Sequence, residues 1–187
     1  DLQSAIVATT YSGRKYGIYS NKDYGNVKGM DLKFDYGNGP FTFFLNYTLQ
    51  YTRGVADNPN STFNRLGQSI DPISRLTPLA WDQRHTVNFS IGYTQKNWGT
   101  TLTTYYNSGL PYTYVPISES VLSKQDIPPN GEKRPSTVSL DLKSHYDFTV
   151  MGDIDLRLFL SVYNLLDSKN ELYVNSTTGR AYTAIVR

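Results

Sequence analysis

The sequence predicts an all-β fold, and more specifically an antiparallel transmembrane β-barrel. Three observations predict it. Apolar and polar residues alternate with a period of two in one segment after another, as they do in strands with one face in lipid and the other in water. The connections between these segments come in two sizes, short turns and long loops. Aromatic residues make up 14% of the chain, and 16 residues are tyrosine, whose amphipathic ring suits the membrane–water interface.

The clearest strand is predicted at residues 41–52, where one face is wholly apolar or aromatic and the other is polar apart from Phe44. Five further segments repeat the pattern. Their apolar residues are Met30, Leu32, Phe34 and Tyr36; Val87, Phe89, Ile91 and Tyr93; Trp98, Leu102 and Tyr106; Val138, Leu140, Leu142, Tyr146 and Phe148; and Ile154, Leu156, Leu158, Leu160 and Val162. Weaker strands are predicted at 6–18 and 172–181, so that seven or eight strands fit the chain.

Three short connections join these strands in pairs, at residues 37–40, 95–97 and 150–153. Each is predicted to be a tight hairpin turn with Gly or Asn where positive φ is needed. Two long segments, 54–81 and 108–135, separate the hairpins and are rich in Pro and Ser. Short turns at one end and long loops at the other are typical of outer-membrane barrels, in which the turns face the periplasm and the loops face outside.

Aromatic and charged residues follow the same alternation. We call the alternate positions of a strand that carry its apolar residues its apolar parity. Six aromatic residues that flank the short turns all have this parity, which predicts an interfacial girdle: Tyr36, Phe41, Tyr93, Trp98, Tyr146 and Phe148. Most charged strand residues fall on the opposite parity: Asp31, Lys33, Asp35, Asp141, Lys143, Asp147, Asp155 and Arg157. A Lys or Arg facing lipid near the midplane would cost about 2–4 kcal/mol, whereas a polar lumen keeps both signs hydrated or paired.

Composition excludes several other classes. The net charge of +2, without a cluster of Lys or Arg, gives no sign of a nucleic-acid partner. The absence of cysteine excludes a disulfide framework and thiolate zinc sites. A soluble antiparallel sandwich also alternates, but it would not explain turn-flanking aromatics of one parity or strands of about ten residues.

Several strings go beyond a generic barrel pattern and resemble TonB-dependent receptors. The string YGNVKGMDL at 24–32 looks like the family's start of a descending strand, and WDQRHTVN at 81–88 is similar to the start of another. SGLPYT at 108–113 resembles a loop start, and VYNLLD at 162–167, followed by Asn170, resembles a motif of the C-terminal region. TGRA at 178–181 matches a string that usually comes next. Together they appear in the family's order over about residues 24–181.

The resemblance implies a barrel of about 22 strands whose lumen is plugged by an N-terminal domain. Residues 1–187 are then expected to be a partial barrel domain without the plug, the last third of a receptor lacking its very end. An open sheet would leave two unpaired edges in lipid, so further strands or another protein should cover them. The implied location is the bacterial outer membrane. The implied partners are membrane lipid, the remaining strands and plug, and an inner-membrane energy-coupling protein, with a surface lipoprotein as a further candidate.

Candidate chemistry rests on few residues. His85 or His145 with a neighbouring Asp could act as a general base, but a hydrogen-bonding role in the rim or lumen is favoured for both. The charged residues of the luminal parity could line a solute path, although a salt-bridged wall is the favoured interpretation. The aromatic loop at 111–114 could stack on sugar or siderophore rings or pack on other loops. No catalytic, cofactor or metal residues are assigned, and ligand-binding residues are unknown.

The leading functional hypothesis is therefore the wall and extracellular loops of an active transporter, and not an enzyme. One alternative is a small autonomous barrel of eight strands with an adhesive or structural role. Another is a secreted, soluble β-sandwich that binds glycans.

Overall fold

The computed structural model describes residues 3–9, 11–21, 24–55, 76–115, 127–171 and 173–182, and all regular structure in these ranges is β-strand. The strands are β1 (Gln3–Thr9), β2 (Lys15–Asn21), β3 (Gly25–Asn38), β4 (Phe41–Gly54), β5 (Thr77–Pro78), β6 (His85–Gln95), β7 (Trp98–Asn107), β8 (Pro111–Tyr112), β9 (Glu132–Lys133), β10 (Thr137–Val150), β11 (Ile154–Val162), β12 (Tyr173–Val174) and β13 (Ala181–Tyr182). Within the described ranges, no helix is long and apolar enough to cross a membrane.

The main sheet has the order β11-β10-β7-β6-β4-β3, with β5 added beside β4, and every pairing is antiparallel. The pairs β1–β2, β8–β9 and β12–β13 form separate two-stranded sheets. The three short turns lie at one end of the main sheet, called the turn end, and the long connections leave from the opposite loop end. The predicted all-β, antiparallel fold is confirmed.

Register places the apolar residues of the six long strands on one face. Directly paired residues of antiparallel strands share a face, and Tyr47 pairs with both Leu32 and Val87. Leu102 likewise pairs with both Ile91 and Leu142. This face is uncovered within the described structure, as the 64% exposure of Leu158 and the 55% exposure of Met30 illustrate. A face so apolar and so exposed requires an apolar environment.

Five of the six residues of the predicted girdle lie in a row at the turn end, and the sixth, Tyr36, pairs in register with Phe43. Phe41 packs edge-on against Tyr93 with ring centroids 4.8 Å apart, and Tyr93 lies 5.1 Å from Trp98. Trp98 is paired in register with Tyr146, whose ring is 6.2 Å from that of Phe148. The row crosses four strands, which suits a band of aromatic rings at a headgroup boundary.

Some local predictions were wrong. The segment predicted as one strand at 6–18 is a hairpin of β1 and β2, because Gly13 takes a φ of 81° and reverses the chain. The segment at 172–181 is likewise reversed, into the short strands β12 and β13. Positive φ was expected at Gly or Asn in each tight turn, and Gly39 (56°) and Gly152 (81°) conform, but Met151 also takes 54° and Asn97 does not take positive φ.

Candidate functional site

A buried carboxylate organises the loop end of β4. Asp82 is fully buried, and its Oδ1 accepts a hydrogen bond of 2.7 Å from the backbone N–H of Thr52. Its Oδ2 accepts one of 2.7 Å from Nη2 of Arg84. This hydrogen bond raises the pKa of Arg84 above its ordinary value. The Asp82 side chain therefore fixes the segment before β6 to the end of β4.

The two residues that follow extend this contact. The Arg84 guanidinium lies 4.0 Å from the centre of the Tyr51 ring, in cation–π geometry. His85 Nδ1 lies 2.9 Å from the hydroxyl of Tyr47, and the His85 backbone N–H donates to Ser108 Oγ at 2.9 Å. The string at 81–88 thus ties β4, β6 and the start of the following loop together.

The two histidines are far apart along the sheet and have different surroundings. His85 lies at the loop end beside Tyr47. His145 pairs with Gly99 and lies over it, so closely that a Cβ on Gly99 would be 2.5 Å from its Cε1. In the described ranges neither imidazole is hydrogen-bonded to a carboxylate, and no group of three metal-ligating side chains occurs. Among the residues that the structure describes, those that a general-base site would need are not brought together.

The second long connection has a hydrogen-bonded base. Asn130 takes a φ of 56° and is buried. Its backbone N–H donates to Thr113 Oγ1 at 2.9 Å, and its Nδ2 donates to the carbonyl of Pro78 at 2.9 Å. The Arg134 N–H donates to the carbonyl of Leu110 at 2.9 Å. We call these contacts the loop base, since they join both sides of this connection to the segment before β6.

The aromatic loop at 111–114 divides into a packed part and an exposed part. Pro111 is fully buried and pairs with Lys133, and the half-buried Tyr112 has its hydroxyl beside Gly179. Tyr114 is 38% exposed, and the next residue, Val115, donates its N–H to the carbonyl of Ser176 at 2.9 Å. Packing on neighbouring loops accounts for the first part, which leaves the Tyr114 ring available for a ligand.

The charged candidates all lie on the luminal face and mostly have partners in the wall. Two ion pairs are present: Lys33 lies 3.2 Å from Asp35, and Asp147 accepts two hydrogen bonds from Arg157 at 2.6 and 2.7 Å. Two further carboxylates accept from hydroxyl groups, Asp31 from Thr48 at 2.7 Å and Asp141 from Ser139 at 2.8 Å. The Lys143 ammonium lies 5.9 Å from the centre of the Tyr163 ring. Such pairing fits a polar wall better than a chain of free charges along a solute path.

The C-terminal motif completes the loop end of β10. The strand β11 pairs with β10 only from Leu142 onward, so Val138 has no strand partner on that side. The side chain of Asn170 takes its place, accepting from the Val138 N–H at 2.9 Å and donating to its carbonyl at 2.8 Å. Asn164 similarly donates its backbone N–H to Asp141 Oδ1 at 3.0 Å. The sequence identified the motif but did not reveal this structural role.

Replacing Asn170 with alanine is expected to destabilise the barrel by about 1–3 kcal/mol, since two backbone groups of Val138 lose their partner. The measurement is the denaturation midpoint of the purified receptor in detergent. Lys169→Ala is the matched control, because the Lys169 side chain is exposed on the same segment. Equal midpoints for the two variants would contradict the assigned role of the amide.

These features define a class. An uncovered apolar face across six antiparallel strands, with an aromatic row at one end and a charged opposite face, is the wall of a transmembrane β-barrel. The model of the family described as TonB dependent receptor-like, beta-barrel matches residues 1–165, and the chain belongs to this family. No curated protein and no solved structure matches the chain significantly. Membership confirms the predicted outer-membrane location and a role in transport rather than catalysis.

Proposed function

We propose that this chain forms a section of the wall of a TonB-dependent receptor, and that its loop end is part of the outward-facing mouth that receives the ligand. The wall holds the receptor in the outer membrane by its apolar face. Energy for uptake would come through a plug domain from an inner-membrane coupling protein, as is expected for a member of this family.

One observation carries the proposal: both long connections share a common, hydrogen-bonded base. Asn130 joins the second connection to Pro78, at the end of the first. Val115 reaches Ser176 in the C-terminal segment. A base of this kind keeps exposed side chains such as Tyr114 in fixed positions, and fixed positions lower the entropy cost of binding a ligand. The connections at the turn end are only two or three residues long, too short to form a mouth for a ligand.

Further strands are part of the proposal. Among the described residues, no strand pairs with the outer edge of β3 or of β11. Unpaired backbone N–H and C=O groups are not tolerated in the hydrocarbon region, so both edges need partners. We therefore expect the native outer-membrane protein to have an intact mass several times 21.2 kDa. A mass near that value would favour the autonomous eight-stranded barrel.

Orientation is tested by cysteine labelling, because residues 1–187 contain no cysteine, with the parent receptor as the background for labelling elsewhere. Intact cells carrying Tyr114→Cys should react with a membrane-impermeant maleimide. Cells carrying Met151→Cys should react only after permeabilisation, although Met151 is 91% exposed at the turn end. The reverse pattern would contradict an outward-facing loop end.

The ligand role is tested by replacing residues 116–126 with a Gly/Ser linker of equal length, which retains the loop base. Cells with and without the parent receptor are first compared for uptake of a radiolabelled ferric siderophore, a vitamin and an oligosaccharide. The linker variant should lose at least about tenfold of the receptor-dependent uptake, because about 1.4 kcal/mol of lost contact energy corresponds to a factor of ten. Met151→Gly, at the other end, should leave uptake unchanged. Parental uptake by the linker variant would contradict the proposal.

A further inference from the structure

Two cations stand on the otherwise uncharged apolar face of the wall. Among the Lys, Arg, Asp and Glu residues of the six paired strands, only Lys28 and Arg53 have the apolar parity, and all the others lie on the luminal face. A Lys or Arg costs about 2–4 kcal/mol at the bilayer midplane but only about 0–1 kcal/mol near an interface. The two exceptions are therefore compatible with the fold only at a headgroup boundary.

Their positions in the strands place them at such a boundary. Lys28 pairs with Tyr51, and Arg53 pairs with Asn26, so the two cations are diagonal neighbours with Cα atoms about 7–8 Å apart. Eight positions separate Lys28 from Tyr36 of the girdle, which is about 26 Å along the strand. With the usual strand tilt this becomes about 20 Å across the membrane, close to the full height of an apolar band of about 25 Å.

A groove of about 560 Å³ opens beside the two cations. Its walls combine the charged groups with apolar side chains, of which Met30 is 55% exposed, Leu76 49% and Tyr51 42%. Neither Lys28 nor Arg53 forms an ion pair within the part of the chain that the structure describes. We call this the Lys28–Arg53 groove. Its shape and chemistry fit an amphiphile, with an anion at the loop end and hydrocarbon towards the middle of the wall.

Lys28 and Arg53 are the cations that remain for an anion at this groove. Arg84 lies nearby, 4.0 Å from the Tyr51 ring centre, but its charge is balanced by the ion pair with Asp82. An arginine guanidinium binds phosphate oxygens through paired N–H donors, and a lysine ammonium adds a mobile point charge. Lipid headgroups carry phosphate at this depth, next to the acyl chains that the apolar face already contacts.

We propose that the Lys28–Arg53 groove binds the phosphate-bearing headgroup of an outer-leaflet lipid. Lys28 and Arg53 contact the phosphate, and Met30 and Leu49 contact the first part of an acyl chain. The site lies outside the lumen and takes no part in ligand passage. It rests on the outward orientation of the loop end proposed above, and it ties the mouth of the receptor to the lipid around it.

The test uses the full receptor, purified in a nonionic detergent, and lipid A as the probe, a glycolipid with two phosphates. Binding is measured by native mass spectrometry over a lipid titration. The double variant Lys28→Gln/Arg53→Gln is expected to bind about 25-fold more weakly, since each cation near an anionic lipid surface contributes roughly fivefold. The control Lys33→Gln/Lys143→Gln removes the same charge from the luminal face and should bind like the parent.

Three results would overturn the proposal: equal weakening in both double variants, equal binding of dephosphorylated lipid A, or complete displacement of the lipid by inorganic phosphate alone. The charge-preserving variant Lys28→Arg/Arg53→Lys guards against misfolding, because it should retain binding within about twofold if charge near the lipid surface is what matters. Ligand uptake is not part of this assay, so a failed transport hypothesis would leave its result unaffected.

Discussion

Replacing Asp82 with alanine is expected to lower the free energy of unfolding by about 3–5 kcal/mol, the usual cost of breaking a buried ion pair from one side. Two partners are left behind. The Thr52 N–H, fully buried at the end of β4, loses its acceptor, and Arg84, whose side chain is only 18% exposed, loses its carboxylate. Arg84 Nε already has no hydrogen-bond partner among the described residues, so the contact with the Tyr51 ring would be the main compensation left for the guanidinium charge.

The measurement is urea unfolding of the purified receptor in detergent, followed by tryptophan fluorescence. Asp82→Asn should fall between parent and alanine variant, because the amide oxygen still accepts from Thr52 while the charge is gone. Asp153→Ala is the matched control, since Asp153 is exposed in a short turn. An alanine variant within 1 kcal/mol of that control would show that the buried pair contributes little, since about 3 kcal/mol is the least that such a loss should cost.

The fold was predictable because the face on which a strand residue lies depends only on whether its position is odd or even. Once Phe41 and Leu45 are assigned to the lipid face, each neighbouring strand can pair only in registers that keep its own apolar residues on that face. A slip of one residue would move all of them to the luminal face. The register confirms this for all six long strands. The hairpin at 3–21 was not predicted because the chain reverses through the positive φ of Gly13. The alternation of apolar and polar residues carries no information about the φ of a single residue.

The site was less predictable because its contacts are distant in the sequence. The string containing Asp82 was identified as a resemblance, yet its partner Thr52 lies 30 positions earlier and Asn170 binds Val138 across 32. Thr52 and Val138 take part in these contacts through their backbone groups, so their side chains give no sign of them in the sequence. Alternation did predict that Lys33 and Asp147 share the luminal face. It could not predict the Lys28–Arg53 groove, which breaks that rule and becomes visible only when cross-strand register is known.

Leu45→Lys is expected to destabilise the inserted barrel by about 2–4 kcal/mol, because Leu45 lies on the apolar face of β4, one full turn of alternation deeper than Phe43 from the girdle residue Phe41. It pairs with Phe34 and Phe89, so no polar neighbour stands directly beside it. An ammonium there is four residues from the Phe41 end of the strand and nine from the Gly54 end, about 13 Å along the strand from the aromatic girdle, and is too deep to reach a headgroup easily. The measurement is again the free energy of unfolding in detergent or lipid bilayers.

The neighbouring position provides the matched control. Asn46→Lys adds the same side chain to the same strand one residue later but on the luminal face, where position 46 pairs with Lys33 and Asn88. Its cost should stay below about 1 kcal/mol, a value typical of exposed charges with weak repulsion. A difference between the two variants measures the lipid contact of this wall directly. Equal costs would mean that both faces are wet, and the assignment of the apolar face to lipid would be lost.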